Sequence, residues 1–251
     1  MNAVLESYKD DVCTITLNRP DKKNAMNYEL IHGLYDALKK ADEKKSSFII
    51  IRGTGKAFCS GGDIIDFKDA EDTGKLIHKE ADILHEGIKI IRRTGAIVIA
   101  VIEGVAVGAG LGLALACDLS IATKKTIMNM GYRRIGLTPD GGGSIFLSRM
   151  IGAKRFSELY LFSKNINMDT AKELGLVNMV VEDEELEASV QKMIDELRAL
   201  PMETVKYFKD LVNASLYDGL EEHLNKEREY VTEIGGKKLF KERIEAFLKK
   251  K

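Results

Sequence analysis

Two hydrophobic periodicities alternate along the first two-thirds of the chain. In one pattern, apolar residues recur every three or four positions, which predicts amphipathic helices over residues 27–41 and 75–93. Asn27, at the start of the first of these segments, is the expected N-cap. The continuous, β-branched apolar runs predict buried strands at residues 12–17, 48–51, 97–102 and 119–122. Alternating strands and helices indicate an α/β core.

The chain beyond residue 135 has a different pattern. Pro139 and the run of three glycines after Asp140 predict an irregular turn over residues 136–143, followed by a helix over 144–162 that breaks near Gly152. Beyond Glu184 the pattern is almost entirely helical. We therefore expect a core at residues 1–195 and a helical C-terminal region at 196–251, of the kind that often packs against another subunit.

Composition excludes several classes of protein. The chain has 251 residues, 45% hydrophobic and 31% charged, with a net charge of −1, so nothing indicates a nucleic-acid partner. Cys13, Cys59 and Cys117 are too few and too scattered for a disulfide framework or a zinc site, and we predict free buried thiols and no metal. No apolar run approaches the roughly 18 residues of a membrane span, and the first residues do not resemble a signal peptide, so the cytoplasm is the expected location.

The most informative stretch is residues 104–118, GVAVGAGLGLALACD. It follows a predicted buried strand, passes through four glycines and continues as a small, apolar helix-like segment. A strand that breaks into glycines and re-forms as a helix presents backbone N–H groups at a helix N-terminus. Such groups bind negative charge, either a phosphate or an oxyanion that forms during a reaction.

Three familiar site types do not fit the glycine turns. A P-loop needs glycine at position 50 and Ser or Thr at 57, where this chain has Ile50 and Ala57. A dinucleotide fingerprint needs glycine at 113, which is Leu113. Ser60 lies in CSGG, which is not the nucleophile elbow G-x-S-x-G of hydrolases.

Several segments together resemble one family. The segment at 55–64, GKAFCSGGDI, and the stretch at 104–118 resemble the two signatures of the crotonase (enoyl-CoA hydratase/isomerase) superfamily. Asn18-Arg19-Pro20, the 136–143 turn and Phe240-Lys241-Glu242 occur in the family's order, so the resemblance covers essentially the whole chain. It implies an α/β fold, a spiral of ββα units with C-terminal helices that assemble homotrimers, commonly paired into hexamers.

The resemblance also implies a ligand and an oxyanion hole. The family binds acyl-CoA thioesters, so coenzyme A is expected as part of the substrate and no cofactor is expected to be bound permanently. The two backbone N–H groups that hold the thioester oxygen map to Gly62 and Ala109. Loss of one such donor typically raises the reaction barrier by ~3–4 kcal/mol.

The resemblance assigns the CoA arm to segments near both glycine turns and to the C-terminal helix. Three lysines are candidate phosphate partners, although a solvated side chain is an equally good interpretation of each: Lys22, Lys23 and Lys56. The other candidates are Ala25, Ser60, Gly61, Asp63 and Ile64 near the turns, with Phe247 and Lys250 reaching in from the C-terminal helix of this subunit or a neighbour.

The catalytic residues depart from the hydratase pattern. Hydratases of the family hold water between two glutamates, and the corresponding positions here are Gly112 and Tyr132. Efficient hydration is therefore not expected, because adding water needs an acid–base pair. Tyr132 either donates to the substrate or only packs. His78 and His85, seven residues apart on a predicted helix, are candidates to face a substrate channel.

One carboxylate stands in a suitable turn, Asp140 in LTPDGG. In one interpretation, Asp140 caps the helix that begins near Ser144. In the other, it is the catalytic acid, because the corresponding turn holds the catalytic acid in Δ3,Δ2-enoyl-CoA isomerases and in the ring-opening isomerase of phenylacetate breakdown. We predict an enoyl-CoA isomerase in which Asp140 moves a proton between C2 and C4. The alternatives are a hydratase or another lyase or hydrolase of the family, and an acyl-CoA-binding subunit without chemistry.

Overall fold

A computed structural model describes residues 2–249 as one α/β unit. Six strands form the main sheet in the order β1-β2-β3-β4-β6-β8, and β1 and β2 are its only antiparallel neighbours. A second sheet pairs β5 with β7 in parallel. The strands are β1 (Val4–Lys9), β2 (Val12–Leu17), β3 (Phe48–Gly53), β4 (Ile97–Ile102), β5 (Val105–Val107), β6 (Leu119–Thr123), β7 (Ile127–Asn129) and β8 (Met179–Val181).

Helices cover the sheets and make up nearly all of the last quarter of the described chain. None of the helices within residues 2–249 is long and apolar enough to cross a membrane. The α-helices are α1 (Tyr28–Glu43), α2 (Ile64–Asp69), α3 (Thr73–Arg93), α4 (Ala109–Ala116), α5 (Gly143–Phe162), α6 (Met168–Glu173), α7 (Leu186–Leu197), α8 (Met202–Leu216), α9 (Leu220–Gly235) and α10 (Lys238–Leu248).

The core forms because the apolar faces of these elements meet. Every residue of β4 is buried, as expected for a central parallel strand covered on both faces. The apolar stripe of α1 is buried as its spacing predicts, and the Asn27 side chain accepts a hydrogen bond from Leu30 N at 3.1 Å, which confirms the N-cap. Helix α3 packs against both α1 and α9 and so links the sheet to the C-terminal helices.

The sequence predictions are confirmed for the long elements and miss several short ones. Strands β2, β3, β4 and β6 and helices α1 and α3 lie where the pattern placed them. The predicted break in α5 is real, since Gly152 has φ +77° within the helix. The edge strand β1 and the short helix α2 were not predicted, because β1 is largely exposed and α2 has only one buried residue.

Candidate active site

The two glycine turns lie side by side. A parallel bridge joins Cys59 to Ala106, with Cys59 N donating to Val105 O at 3.0 Å and Val107 N donating to Cys59 O at 2.9 Å. Gly61 has φ +89°, and a Cβ there would lie 2.9 Å from Val107 O, so only glycine fits this close approach. The segment at 55–64 is thereby held against the start of α4.

This arrangement points two backbone N–H groups at one space. Within residues 2–249, neither Gly62 N nor Ala109 N donates to a protein acceptor, and both residues line a cavity of about 130 Å³. Ala109 is the first residue of α4, so its N–H also lies at the positive end of a helix. The geometry therefore suits a pair of oxyanion donors, at the residues that the sequence indicated.

Asp140 faces the same cavity because another residue caps the helix that follows it. Glu227 on α9 accepts from Gly142 N at 2.7 Å and from Ser144 N at 2.9 Å, which satisfies the N-terminus of α5. The side chain of Asp140 is thus not the helix cap that its position in the turn allowed. Its carboxylate instead lies 2.7 Å from His85 Nε2.

The His85–Asp140 pair is buried, with side chains only 4% and 12% exposed. Burial alone would lower the pKa of His85, but the charge of Asp140 and the hydrogen bond to it outweigh burial and leave the pKa raised. Glu227, whose Oε2 lies 3.9 Å from His85 Nε2, acts in the same direction. The contact with Asp140 therefore favours the protonated form of His85.

The same three side chains form a cluster in which one ligand atom from each lies within 4.8 Å of the others. Such a cluster has the composition of a metal site. Here, however, Gly142 and Ser144 already donate to both oxygens of Glu227, and His85 already binds Asp140. These contacts fit a cluster that positions the Asp140 carboxylate.

Tyr132 lines the cavity, but its hydroxyl already has a partner. The Tyr132 hydroxyl donates to the backbone carbonyl of Asp140 at 2.7 Å and so holds the Asp140 turn. Burial raises the pKa of Tyr132 well above its usual value, so the phenol stays protonated and remains a donor. The sequence left open whether Tyr132 donates to the substrate or only packs, and this contact supports a structural role, because the hydroxyl already donates to the Asp140 turn.

Gly112 is glycine because backbone lies where a side chain would be. A Cβ at this position would meet Gly141 O at 2.2 Å and Gly143 N at 3.1 Å. Helix α4 therefore packs directly on the turn that carries Asp140. No glutamate fits here without displacing that turn, which gives a structural reason for the missing hydratase residue.

The predicted CoA-binding residues fall into two groups. Ser60, Gly61, Ile64 and Phe247 line the cavity together with the oxyanion donors. The side chains of Lys22, Lys23 and Lys56 are exposed, and Ser60 ties their loops together by donating from N to Lys23 O and from Oγ to Lys22 O. Lys250 lies outside the described residues.

Ala25 and Asp63 have contacts within the fold instead. Arg19 donates to Ala25 O and lies 2.9 Å from Asp63 Oδ2, while Asp63 Oδ1 caps α2 by accepting from Ile65 N. These contacts give the Asp63 side chain a structural role. The backbone of Asp63, and not its side chain, is therefore the part available for contact with CoA.

A second, larger cavity of about 770 Å³ adjoins the first and is strongly basic. Four of its lining residues carry positive charge: Arg133, Arg134, Lys237 and Arg243. Arg134 and Phe247 belong to the walls of both cavities. These four residues share no local signal in the sequence, because they come together only when α10 packs near the turn after β7.

Of the two histidines considered from the sequence, only His85 reaches the site. His78 is partly exposed and lies beside Thr232, with Nδ1 3.3 Å from Oγ1. Two buried glutamates near the site were missed, Glu80 and Glu227. Glu80 had a readable signal, since it occupies an apolar-face position of α3 between Ile77 and Ala81.

The chain is similar to known proteins over its whole length. The sequence profile of the family described as Enoyl-CoA hydratase/isomerase matches residues 7–251. The chain is similar to 1,2-epoxyphenylacetyl-CoA isomerase of Escherichia coli (strain K12), with 30% identity over all of this chain and 97% of that protein. It is also similar to 4-chlorobenzoyl coenzyme A dehalogenase-2 of an Arthrobacter species, with 29% identity over 97% of this chain and 89% of the relative.

Similarity to solved structures indicates the same family. The crystal structure of an enoyl-CoA hydratase from Bacillus halodurans superimposes with a TM-score of 0.90 and 26% identity, covering 97% of this chain and 99% of that one. The fold and the paired backbone donors therefore define a crotonase-type α/β protein. The chain belongs to the enoyl-CoA hydratase/isomerase family.

Proposed function

We propose that this protein is an enoyl-CoA isomerase that acts on an acyl-CoA thioester. The observation that carries the proposal is the position of Asp140. Glu227 takes over the helix cap, so the carboxylate of Asp140 is left beside a cavity that Gly62 and Ala109 also line. A single carboxylate next to two oxyanion donors suits a proton shift between two carbons of the same substrate.

The mechanism follows from these groups. Asp140 removes a proton from one end of the allylic system, and the electrons of the C–H bond move toward the thioester oxygen. The N–H groups of Gly62 and Ala109 stabilise the dienolate oxygen that results. Return of a proton at the other end gives the conjugated enoyl thioester, with no net change in atoms.

The cavities suit a CoA thioester in size and charge. The large basic cavity, with its four cations, complements the phosphates of coenzyme A, and it shares Arg134 and Phe247 with the wall of the smaller, mostly apolar cavity. We infer that the nucleotide end lies toward the first and the acyl group toward the second. The names of the relatives, an isomerase and a dehalogenase of CoA thioesters among them, support this substrate class.

The test is a panel of CoA thioesters assayed with wild type and Asp140→Asn. We expect turnover of a 3-enoyl-CoA by wild type, and none by the variant, which should still bind CoA thioesters in calorimetry. Glu158→Gln is a matched control, since Glu158 is an exposed carboxylate on α5 that pairs with Lys164. Near-normal isomerisation by Asp140→Asn would refute the assignment of Asp140.

One observation favours a second candidate. A carboxylate beside a buried histidine is also an arrangement for nucleophilic catalysis, and two relatives are named 4-chlorobenzoyl coenzyme A dehalogenases. The same panel separates the two, because a 4-chlorobenzoyl thioester would release chloride. Chloride release without isomerisation of a 3-enoyl-CoA would replace the first proposal with this one.

We also propose that residues 196–251 form an oligomerisation region. Helix α8 leaves Tyr207, Phe208 and Leu211 more than half exposed, which is unusual for three large apolar side chains on one helix. Burial of this surface against other copies of the chain would explain it. Sedimentation velocity should show a trimer or hexamer, and a monomer at micromolar concentration would contradict the proposal.

A further inference from the structure

Glu80 is a buried carboxyl that the mechanism above does not use. It lies on α3 among Ile77, Ala81 and Leu84, and only 4% of the residue is exposed. Its Oε1 has no hydrogen-bond partner within residues 2–249. Burial of a polar atom without a partner is unfavourable, so a ligand that supplies the partner gains energy on binding.

The free carboxyl faces the reaction site. A small cavity of about 40 Å³ has Glu80 in its wall, together with Gly62, Ala109 and Asp140. Those three residues also line the larger cavity next to it. The other residues of the small cavity are apolar, so Glu80 and Asp140 are its only titratable groups.

The two carboxyls have different surroundings. Burial raises the pKa of Glu80 to about 8, and the charges of Asp66, Asp63 and Asp140 add to the increase, while a backbone hydrogen bond from Tyr28 opposes it. Glu80 therefore carries a proton near neutral pH. Asp140 instead lies 2.7 Å from Nε2 of the buried His85, a contact that favours the protonated form of that histidine. A protonated carboxyl and a carboxyl paired with a histidine thus line one cavity with Gly62 and Ala109.

We propose that Glu80 is a second proton-transfer group of this site, which donates to the dienolate at one carbon while Asp140 accepts the proton removed from the other. The inference rests on the proposed isomerase function. Asp140 becomes protonated as the C–H bond breaks, and the Glu80 O–H proton forms the new C–H bond. The cycle closes when Asp140 loses its proton to water and Glu80 takes one up, so the net reaction is isomerisation.

The test follows a deuterium label from substrate to product. A 3-enoyl-CoA deuterated at C2 is converted by wild type in ordinary water, and the product is analysed by NMR and mass spectrometry. If Glu80 is the donor, C4 acquires hydrogen from solvent. If Asp140 alone carries the proton, deuterium moves from C2 to C4, and this outcome would overturn the proposal even without a variant.

Glu80→Gln is the second arm, with Glu86→Gln as a control on the same helix, since Glu86 is half-exposed and pairs with Lys89. We expect turnover by Glu80→Gln to fall at least about 100-fold, as for the loss of a general acid, with CoA-thioester binding retained. The control should keep wild-type turnover. Near-wild-type turnover by Glu80→Gln would also overturn the proposal. Absence of isomerisation by wild type would instead refute the proposed function.

Discussion

Replacing Glu80 with Gln should change how the stability of this protein depends on pH. Burial and three nearby carboxylates raise the pKa of Glu80 to about 8, from an ordinary value of 4.5. The folded state therefore keeps a proton that the unfolded chain has lost. Between these two pKa values the folded state binds more protons, so its stability falls as pH rises.

The size of the effect follows from the shift. Each pH unit between the two pKa values removes about 1.4 kcal/mol from the free energy of unfolding. From about pH 5.5 to about pH 7, wild type should thus lose roughly 2 kcal/mol through Glu80 alone. Gln cannot ionise, so the variant does not lose this stability. The free energy of unfolding of Glu80→Gln relative to wild type should therefore increase by that amount over the same pH range.

Urea unfolding at fixed protein concentration measures the difference. Other groups titrate in this range, His85 among them, but they are common to both proteins and cancel in the comparison. Glu86→Gln removes an exposed carboxylate from the same helix and should follow wild type at every pH. A difference between Glu80→Gln and wild type that does not change with pH would show that Glu80 ionises normally in the fold.

Three further predictions test other parts of the site. Wild type should hydrate crotonyl-CoA at least about 100-fold more slowly than it isomerises a 3-enoyl-CoA, because the hydratase acid–base pair is missing; comparable rates in a coupled assay would contradict this. Gly112→Ala should lose at least roughly 1–3 kcal/mol in urea unfolding, since its Cβ would overlap Gly141 O, and unchanged stability would show that the turn yields. Deletion of residues 236–251 should weaken both assembly and CoA-thioester binding, as seen by sedimentation and calorimetry, because Phe247 lines both cavities; unchanged affinity would place the binding site elsewhere.

Local sequence signals predicted much of the fold. The spacing of apolar residues located α1 and α3, and the Asn27 cap and the Gly152 break follow from the chemistry of single residues. The glycine turns after buried strands indicated unpaired backbone N–H groups, and the family resemblance assigned the proposed oxyanion donors to Gly62 and Ala109. In each case the information lies within a few residues along the chain.

The support of Asp140 depends on residues far apart in sequence. Glu227 caps α5 from 85 positions away, and His85 reaches Asp140 across 55 positions. From the turn alone, Asp140 was equally suited to cap the helix that follows it. The packing of α9 and α3 on that turn brings Glu227 to the helix end and His85 to Asp140. No local sequence pattern indicates that another residue caps the helix in place of Asp140.

Helix α3 shows where a sequence signal was present and went unused. Ile77, Ala81, Leu84 and Ile88 form an apolar stripe, and Glu80 and His85 interrupt it on the buried side. A charged residue in an apolar stripe is costly to bury unless something compensates it. For Nε2 of His85 the compensation is Asp140, whereas its Nδ1 has no hydrogen-bond partner within residues 2–249. For Glu80 Oε1 no protein partner is present in the described chain, and Glu80 lines a cavity together with Gly62, Ala109 and Asp140. A polar group kept at this energetic cost, in the wall of that cavity, supports the proposed role of Glu80 in proton transfer.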